Sequence, residues 1–285
     1  MSTKAALKAA KTALDGQDYD KAIEQAESVL SSDPQNFFAR LFLGRAFEKK
    51  GKYEDSARTY HAAAASKPDD AQAWLGLCSV YEAQEGRKLD EYREAAVKAA
   101  QIVGEATEDK ERCQTIIDKL VAFTKKHGDA NHIKNVLRIM LPGSPIYDLL
   151  EGRVPHPSHT FTRLAELTET EETQRMKKEI AERRTRIGAR VNQVTIEVKR
   201  EIFGSSDLED LYQQVINWSS DDEIRRQYEE KLLERAHEVL VVLPSEKKAG
   251  KLDQALTLAE GMVIIHHPFV LAWDLVLESR DLDDL

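Results

Sequence analysis

Residues 18–36, DYDKAIEQAESVLSSDPQN, are followed 34 residues later by 52–70, KYEDSARTYHAAAASKPDD. Tyr19 and Tyr53 share that interval, and so do Pro34 and Pro68. In each block small or apolar residues recur at helical spacing: Ala22, Ala26 and Val29 in the first, Ser56, Tyr60 and Ala63 in the second. The proline then stops the helix, because it has no N–H and holds the preceding residue in extended backbone. Upstream of each block lies a second helical pattern: Leu7, Ala10 and Leu14 before the first, Leu43, Gly44 and Phe47 before the second. The unit is therefore a pair of helices. Two antiparallel helices approach closely only where small residues sit at the crossing, and Ala10, Ala22, Gly44 and Ser56 occupy such places. One pair cannot bury its apolar face alone, so neighbouring pairs must stack.

A 34-residue period with landmarks W-x2-L-G-x2-Y, A-x3-F and Pro resembles the tetratricopeptide repeat (TPR). A third block opens with Trp74, Leu77, Cys78 and Tyr81. The fold class expected is all-α, a right-handed α-solenoid of helical hairpins with divergent repeats in its second half. Three repeats are expected over 1–104, divergent helices and a Pro/Gly-rich joint over 105–157, and divergent helical repeats over 158–285.

After Tyr81 the period slips. QEGRKL (84–89) reads as a lengthened turn, with Tyr92 in the place of Tyr19 and Tyr53 and with Ala95, Ala99 and Ile102 on the inner face. Gly104 to Asp109 reads as a break. Helices are expected over 109–126 and 131–141. LPGSPIYDLLEGRVPHPSH (141–159) holds four of the eight prolines and reads as an irregular joint at about 142–158. Helices follow over 157–167, 171–203, 207–219 and 221–243. Near the end Ala255, Ala259 and Met262 regain second-helix spacing, Pro268 closes a unit, and Trp273 opens a half-unit. A half-unit leaves an apolar face uncapped, so the sequence reads as a piece of a longer solenoid.

Composition narrows the function. A net charge of −9 argues against a dedicated nucleic-acid binder. Apolar residues at 41% and charged ones at 32% suit a helical array with wet flanks, not a disordered chain. No apolar run is long enough to cross a bilayer, and MSTKAALKAAKTAL lacks the apolar core of a signal peptide. Cys78 and Cys113, both in helical patterns, read as buried free thiols in a reducing compartment. Phosphate loops, dinucleotide fingerprints, zinc-protease helices and nucleophile elbows are missing from the sequence. His156 with His159, and His266 with His267, have no third ligand in view and read as surface or packing histidines. No catalytic residue, cofactor or metal site is expected. Arg183, Arg184, Arg186 and Arg190 could contact RNA phosphates. Glu171, Glu172, Glu179 and Glu182 stand at pairing distance along the same helix, which favours a solvated face.

What remains is a binding surface. First helices line the concave side of such a stack, with Leu7 and Lys11, then Phe38, Leu41, Arg45 and Lys49, then Gln72, Leu75 and Ser79 pointing outward. Phe38, Leu41 and Leu75 beside Arg45 and Lys49 would suit a peptide with apolar and acidic anchors. The Asn/Lys/Arg clamp by which some TPR domains hold chaperone tails would need other residues than Lys11, Phe42, Gln72 and Gly76, so no co-chaperone role is expected.

Four stretches carry a more specific resemblance: residues 18–49, LPGSPIYDLLEG (141–152), residues 205–244 beginning SSDLEDLYQQVINW, and EGMVIIHHPFVLAWD (260–274). In order and spacing they resemble the N-terminal region of the large TPR subunits of Superkiller complexes. The resemblance implies a cytoplasmic scaffold without catalysis of its own. It implies as partners an RNA helicase subunit, WD40-propeller subunits, an exosome-bridging factor and the cytoplasmic exosome, which degrades messenger RNA from the 3′ end. The alternative is an unrelated TPR adaptor whose N-terminal concave groove binds a partner peptide.

Overall fold

The computed structural model describes residues 2–107, 109–150, 152–187 and 207–242. These form helices α1 (Thr3–Asp15), α2 (Tyr19–Ser32), α3 (Phe37–Lys49), α4 (Tyr53–Ser66), α5 (Ala71–Glu82), α6 (Leu89–Thr107), α7 (Lys110–His127), α8 (Ala130–Ile139) and α9 (Pro145–Leu149). They continue with α10 (Pro157–Ile187), α11 (Asp207–Trp218) and α12 (Asp222–Val242). There is no strand among the described residues, so the all-α expectation holds. The helices fall into two compact units, one within Met1–Pro155 and one within His156–Leu285.

In the first unit each helix packs on its chain neighbour from α1 to α7, and α3 also packs on α1 and α5. The repeat is written into the caps. Asn36 and Asp70, 34 residues apart, each accept a backbone N–H of the helix they begin, from Ala39 at 3.0 Å and from Gln72 at 3.0 Å. Asp33 and Lys67 close α2 and α4 in non-helical backbone just before the two prolines.

The crossing residues do what their size requires. Ala10, Ala22 and Ser56 are fully buried. The Ser56 hydroxyl donates to the Gly44 carbonyl at 2.7 Å, tying α4 to α3 at their closest approach. Tyr60 lies flat against two glycines. A Cβ on Gly44 would stand 3.1 Å from its ring, and one on Gly76 only 2.4 Å. A continuous apolar cluster then runs from Phe37 and Tyr60 through Leu77, Tyr92, Ile117 and Leu120 to Ile146 and Leu150.

Several expectations shift in detail. Gly104 is no break. α6 runs through it to Thr107, and the missing side chain lets Leu149 approach to 3.1 Å of where a Cβ would be. The lengthened turn exists, with Glu85 and Gly86 at positive φ. α6 nevertheless begins at Leu89, so Tyr92 sits one turn inside its helix, whereas Tyr19 and Tyr53 start theirs. The inner face accordingly takes Ala95, Ala96, Ala99, Ala100 and Val103, while Ile102 is half-buried. The stretch at 142–158 contains the short helix α9, begun by Pro145 and capped by Ser144.

In the second unit the two helices expected over 157–167 and 171–203 are one through Ile187, since no glycine or proline interrupts residues 158–187. α10 packs on α11, and α11 on α12. The seam is polar as well as apolar. Glu169 accepts from the Tyr212 hydroxyl at 2.7 Å and from Lys231 at 2.8 Å. Arg235 donates to Glu209 at 2.9 Å and to Glu172 at 3.1 Å. The C-terminal repeat landmarks Ala255, Ala259, Met262, Pro268 and Trp273 lie outside the described residues, as do His266, His267 and the end of the helix expected to reach Phe203.

Candidate interaction surface

The candidate surface is built on the first helices of the hairpins, which place every third or fourth side chain on one face. Phe38 is 48% exposed and meets Phe37 edge to face. Arg45 and Lys49 are exposed on the same helix. Lys49 Nζ sits 3.3 Å from Glu48, which also accepts from the Ser79 hydroxyl at 2.9 Å across to α5. Leu41 departs from the expectation. It is 8% exposed and joins the core cluster that holds Ala73 and Leu77 of α5, because the next hairpin stacks over it. Leu75 is half-buried. Leu7 is half-buried and Lys11 exposed.

A groove that sequence spacing did not reveal opens further along the same unit. It encloses about 410 Å³ between α5 and α7, with Tyr92 of α6 as its floor. Leu75 and Ile116 supply apolar wall. Glu82 stands on the α5 side and accepts from the Tyr92 hydroxyl at 2.7 Å. Arg112 and Lys119 stand on α7, both exposed. Burial raises the Tyr92 phenol well above its usual value, and the bond to Glu82 adds to the shift. Cys78 lines the groove too. Burial pushes its thiol up to about 12, with Glu82 raising and Lys119 lowering it. The only sequence sign was the spacing of Arg112, Thr115, Ile116 and Lys119, which puts all four on one helical face. Their importance depends on α7 lying beside α5.

Of the arginine run, Arg183 is half-buried on α10, Arg184 and Arg186 fall within the helical span, and Arg190 lies outside the described residues. Of the acids expected to neutralise the run, Glu172 pairs with Arg235 of α12, and Glu182 lies 4.0 Å from Lys178. Cys78 and Cys113 are buried free thiols. No cluster of three metal-ligating side chains occurs among the described residues, and none of their helices is long and apolar enough to cross a membrane.

Two tetratricopeptide-repeat family models match the chain, over residues 13–84 and 142–229. The second covers a stretch in which the 34-residue landmarks are not visible. Superkiller protein 3 of Schizosaccharomyces pombe is 32% identical over 99% of this chain and 20% of its own length. Superkiller protein 3 of Saccharomyces cerevisiae is 28% identical over 98% of this chain and 20% of its own length. The human Superkiller complex protein 3 is 33% identical over 79 residues, which are 28% of this chain and 5% of that protein. The chain thus spans about a fifth of the length of the two fungal relatives. With repeat models over both parts of the chain and relatives aligned along nearly all of it, the chain belongs to the tetratricopeptide-repeat proteins and is a homologue of Superkiller protein 3.

Proposed function

We propose that this chain is a non-catalytic scaffold segment of a Superkiller assembly, working in the cytoplasm to support a helicase subunit and the cytoplasmic exosome in 3′-to-5′ messenger RNA decay. The observation that carries the reading is the near end-to-end similarity to Superkiller protein 3, which extends through stretches without repeat landmarks. The geometry agrees with it. Stacked hairpins present long faces and an open groove. A helicase subunit, WD40-propeller subunits and an exosome-bridging factor are the partners this reading offers. The test is affinity capture from extract with the 285-residue chain as bait, read by mass spectrometry. Helicase, propeller or exosome subunits should be enriched over a bait with an unrelated repeat array. Capture of heat-shock chaperones alone would overturn the assignment.

The adaptor alternative has its own observation, the exposed Phe38 with Arg45 and Lys49 about two and three turns further along α3. A groove adaptor loses its partner on Arg45→Glu with Lys49→Glu, whereas a scaffold that binds along its flanks tolerates both. Direct RNA contact by Arg183, Arg184, Arg186 and Arg190 predicts affinity that falls steeply with salt. Binding of single-stranded RNA that is undetectable, or indifferent to salt, removes it.

A further inference from the structure

We propose that Ser220 is a phosphorylation site, the target of a serine kinase that selects acidic residues after the hydroxyl it modifies. Among the described residues four serines and no threonine stand outside the helices: Ser2, Ser144, Ser219 and Ser220. The first two cap α1 and α9 with their side chains. Ser219 is buried, and its hydroxyl meets the backbone carbonyl and N–H of Asp221 at 3.1 and 3.2 Å. That leaves Ser220, exposed in the three-residue turn between α11 and α12. Hydroxyls inside helices are poorer candidates, because a kinase cleft takes its substrate extended. Those of Thr168 and Thr170, which also precede acids, each give their proton to the carbonyl four residues back at 2.8 Å.

Asp221, Asp222 and Glu223 follow Ser220 directly. The side chains of Asp222 and Glu223 are 86% and 82% exposed, and Arg225 and Arg226 stand 3.4 and 3.6 Å from them. Exposed pairs of this kind are worth little, so both acids are free to turn to a basic kinase cleft. Asp221 instead holds the N–H groups of Glu223 and Ile224 at 2.9 and 3.3 Å, which keeps α12 started. The donor is a magnesium-bound nucleoside triphosphate. Ser220 Oγ attacks the γ-phosphorus, the bond to the bridging oxygen breaks, the diphosphate leaves, and the hydroxyl proton passes to the kinase's carboxylate base. The turn can hold the product. Arg225 donates to the Ser219 carbonyl at 3.1 Å, which sets a cation beside the modified residue, and the N-terminus of α12 favours negative charge. Two residues earlier lies Trp218, 37% exposed and edge to face with His156. A phosphate of about −1.5 to −2 charge would make this aromatic corner anionic and bar a partner that covers the indole.

The inference does not depend on the assignment to a Superkiller assembly, since Ser220 can take phosphate whatever the chain assembles with. The test is incubation of the folded 285-residue chain with magnesium ATP and a purified acid-directed serine kinase of the casein-kinase type, with site and rate read by mass spectrometry. Within the turn, Ser220 should carry the phosphate. Asp222→Asn with Glu223→Gln should slow its modification at least about tenfold. Both acids are exposed, and far-ultraviolet circular dichroism reports whether the variant keeps its helices. Full-length protein recovered from its own cells with phosphatases inhibited should carry the same phosphate. Phosphate on Ser219 instead, modification of a peptide spanning 214–228 but not of the folded chain, an unchanged rate in the acid-neutralised variant, or only unmodified Ser220 in protein from cells each overturns the proposal.

Discussion

Gly76→Ala is the substitution on which the packing argument is most exposed. In an ordinary helix interior, alanine for glycine stabilises by about 1 kcal/mol through reduced unfolded-state entropy. Gly76 lies mid-helix in α5, so propensity alone raises stability. The structure reverses the sign. The new Cβ would stand 2.4, 2.5 and 2.8 Å from three atoms of the Tyr60 ring, which is 4% exposed and also packed close to Gly44. A rigid ring held between two helices cannot swing away, so α5 must move outward. Overpacking of this kind costs about 1–3 kcal/mol. Net destabilisation of up to about 2 kcal/mol is expected. Urea unfolding followed by circular dichroism measures it. Tyr60→Ala supplies the internal check: in its presence Gly76→Ala should be neutral or stabilising, a coupling of about 1–3 kcal/mol. Gly44→Ala, whose Cβ would meet the same ring at 3.1 Å, should cost less. A Gly76→Ala variant with a raised urea midpoint, or with no coupling to Tyr60, would refute the reasoning.

Other outcomes follow from the same contacts. Ser56→Ala removes a buried donor 2.7 Å from the Gly44 carbonyl and should lower stability by about 1 kcal/mol, read from the urea midpoint. Arg235→Met leaves Glu172 and Glu209 facing each other at a largely sheltered seam and should cost about 2 kcal/mol, with Arg235→Lys restoring only part because a lysine cannot serve both carboxylates in the same fork. Alkaline pH should loosen the first unit. Burial pushes Cys78 to about 12 from an ordinary value of 9.0 and raises Tyr60 and Tyr92, so the native chain keeps protons that the unfolded chain releases. That stabilisation is full below pH 9 and is lost as pH rises toward 12, by up to about 1.4 kcal/mol per pH unit for each group. A urea midpoint that does not fall between pH 8 and pH 10.5 would contradict it. For the same reason Cys78 should react slowly with a disulfide reagent at pH 8 and quickly in urea.

The sequence was most informative where one residue type has one physical role. The 34-residue interval locates the helix stops at Asp33 and Lys67, and the small residues Ala22, Gly44 and Ser56 mark the crossings. It was least informative where a role depends on a distant neighbour. Gly104 resembled a helix breaker because nothing nearby in the chain shows that Leu149 comes to rest against it. Leu41 looked like a groove residue until α5 covered it. Glu172 was matched to arginines along its own helix, whereas Arg235, far away in the chain, reaches it. The α5–α7 groove combines residues from either side of an irregular turn, so no periodic rule could bring them together.

Residues Ala83–Lys88 are six positions of turn between α5 and α6, against three between α1 and α2 and three between α3 and α4. At the bend, Gly86 leaves so little room that a Cβ would come within 2.7 Å of His127 at the far end of α7. Each hairpin in a stack takes its bearing from the one before it, so a change of phase here is inherited by α6, α7 and whatever packs on them. A handful of turn residues can thereby steer helices well beyond the two they join. Lengthening or trimming that bend would re-aim the later surface while leaving every helix intact, a route to new partners that spares the core.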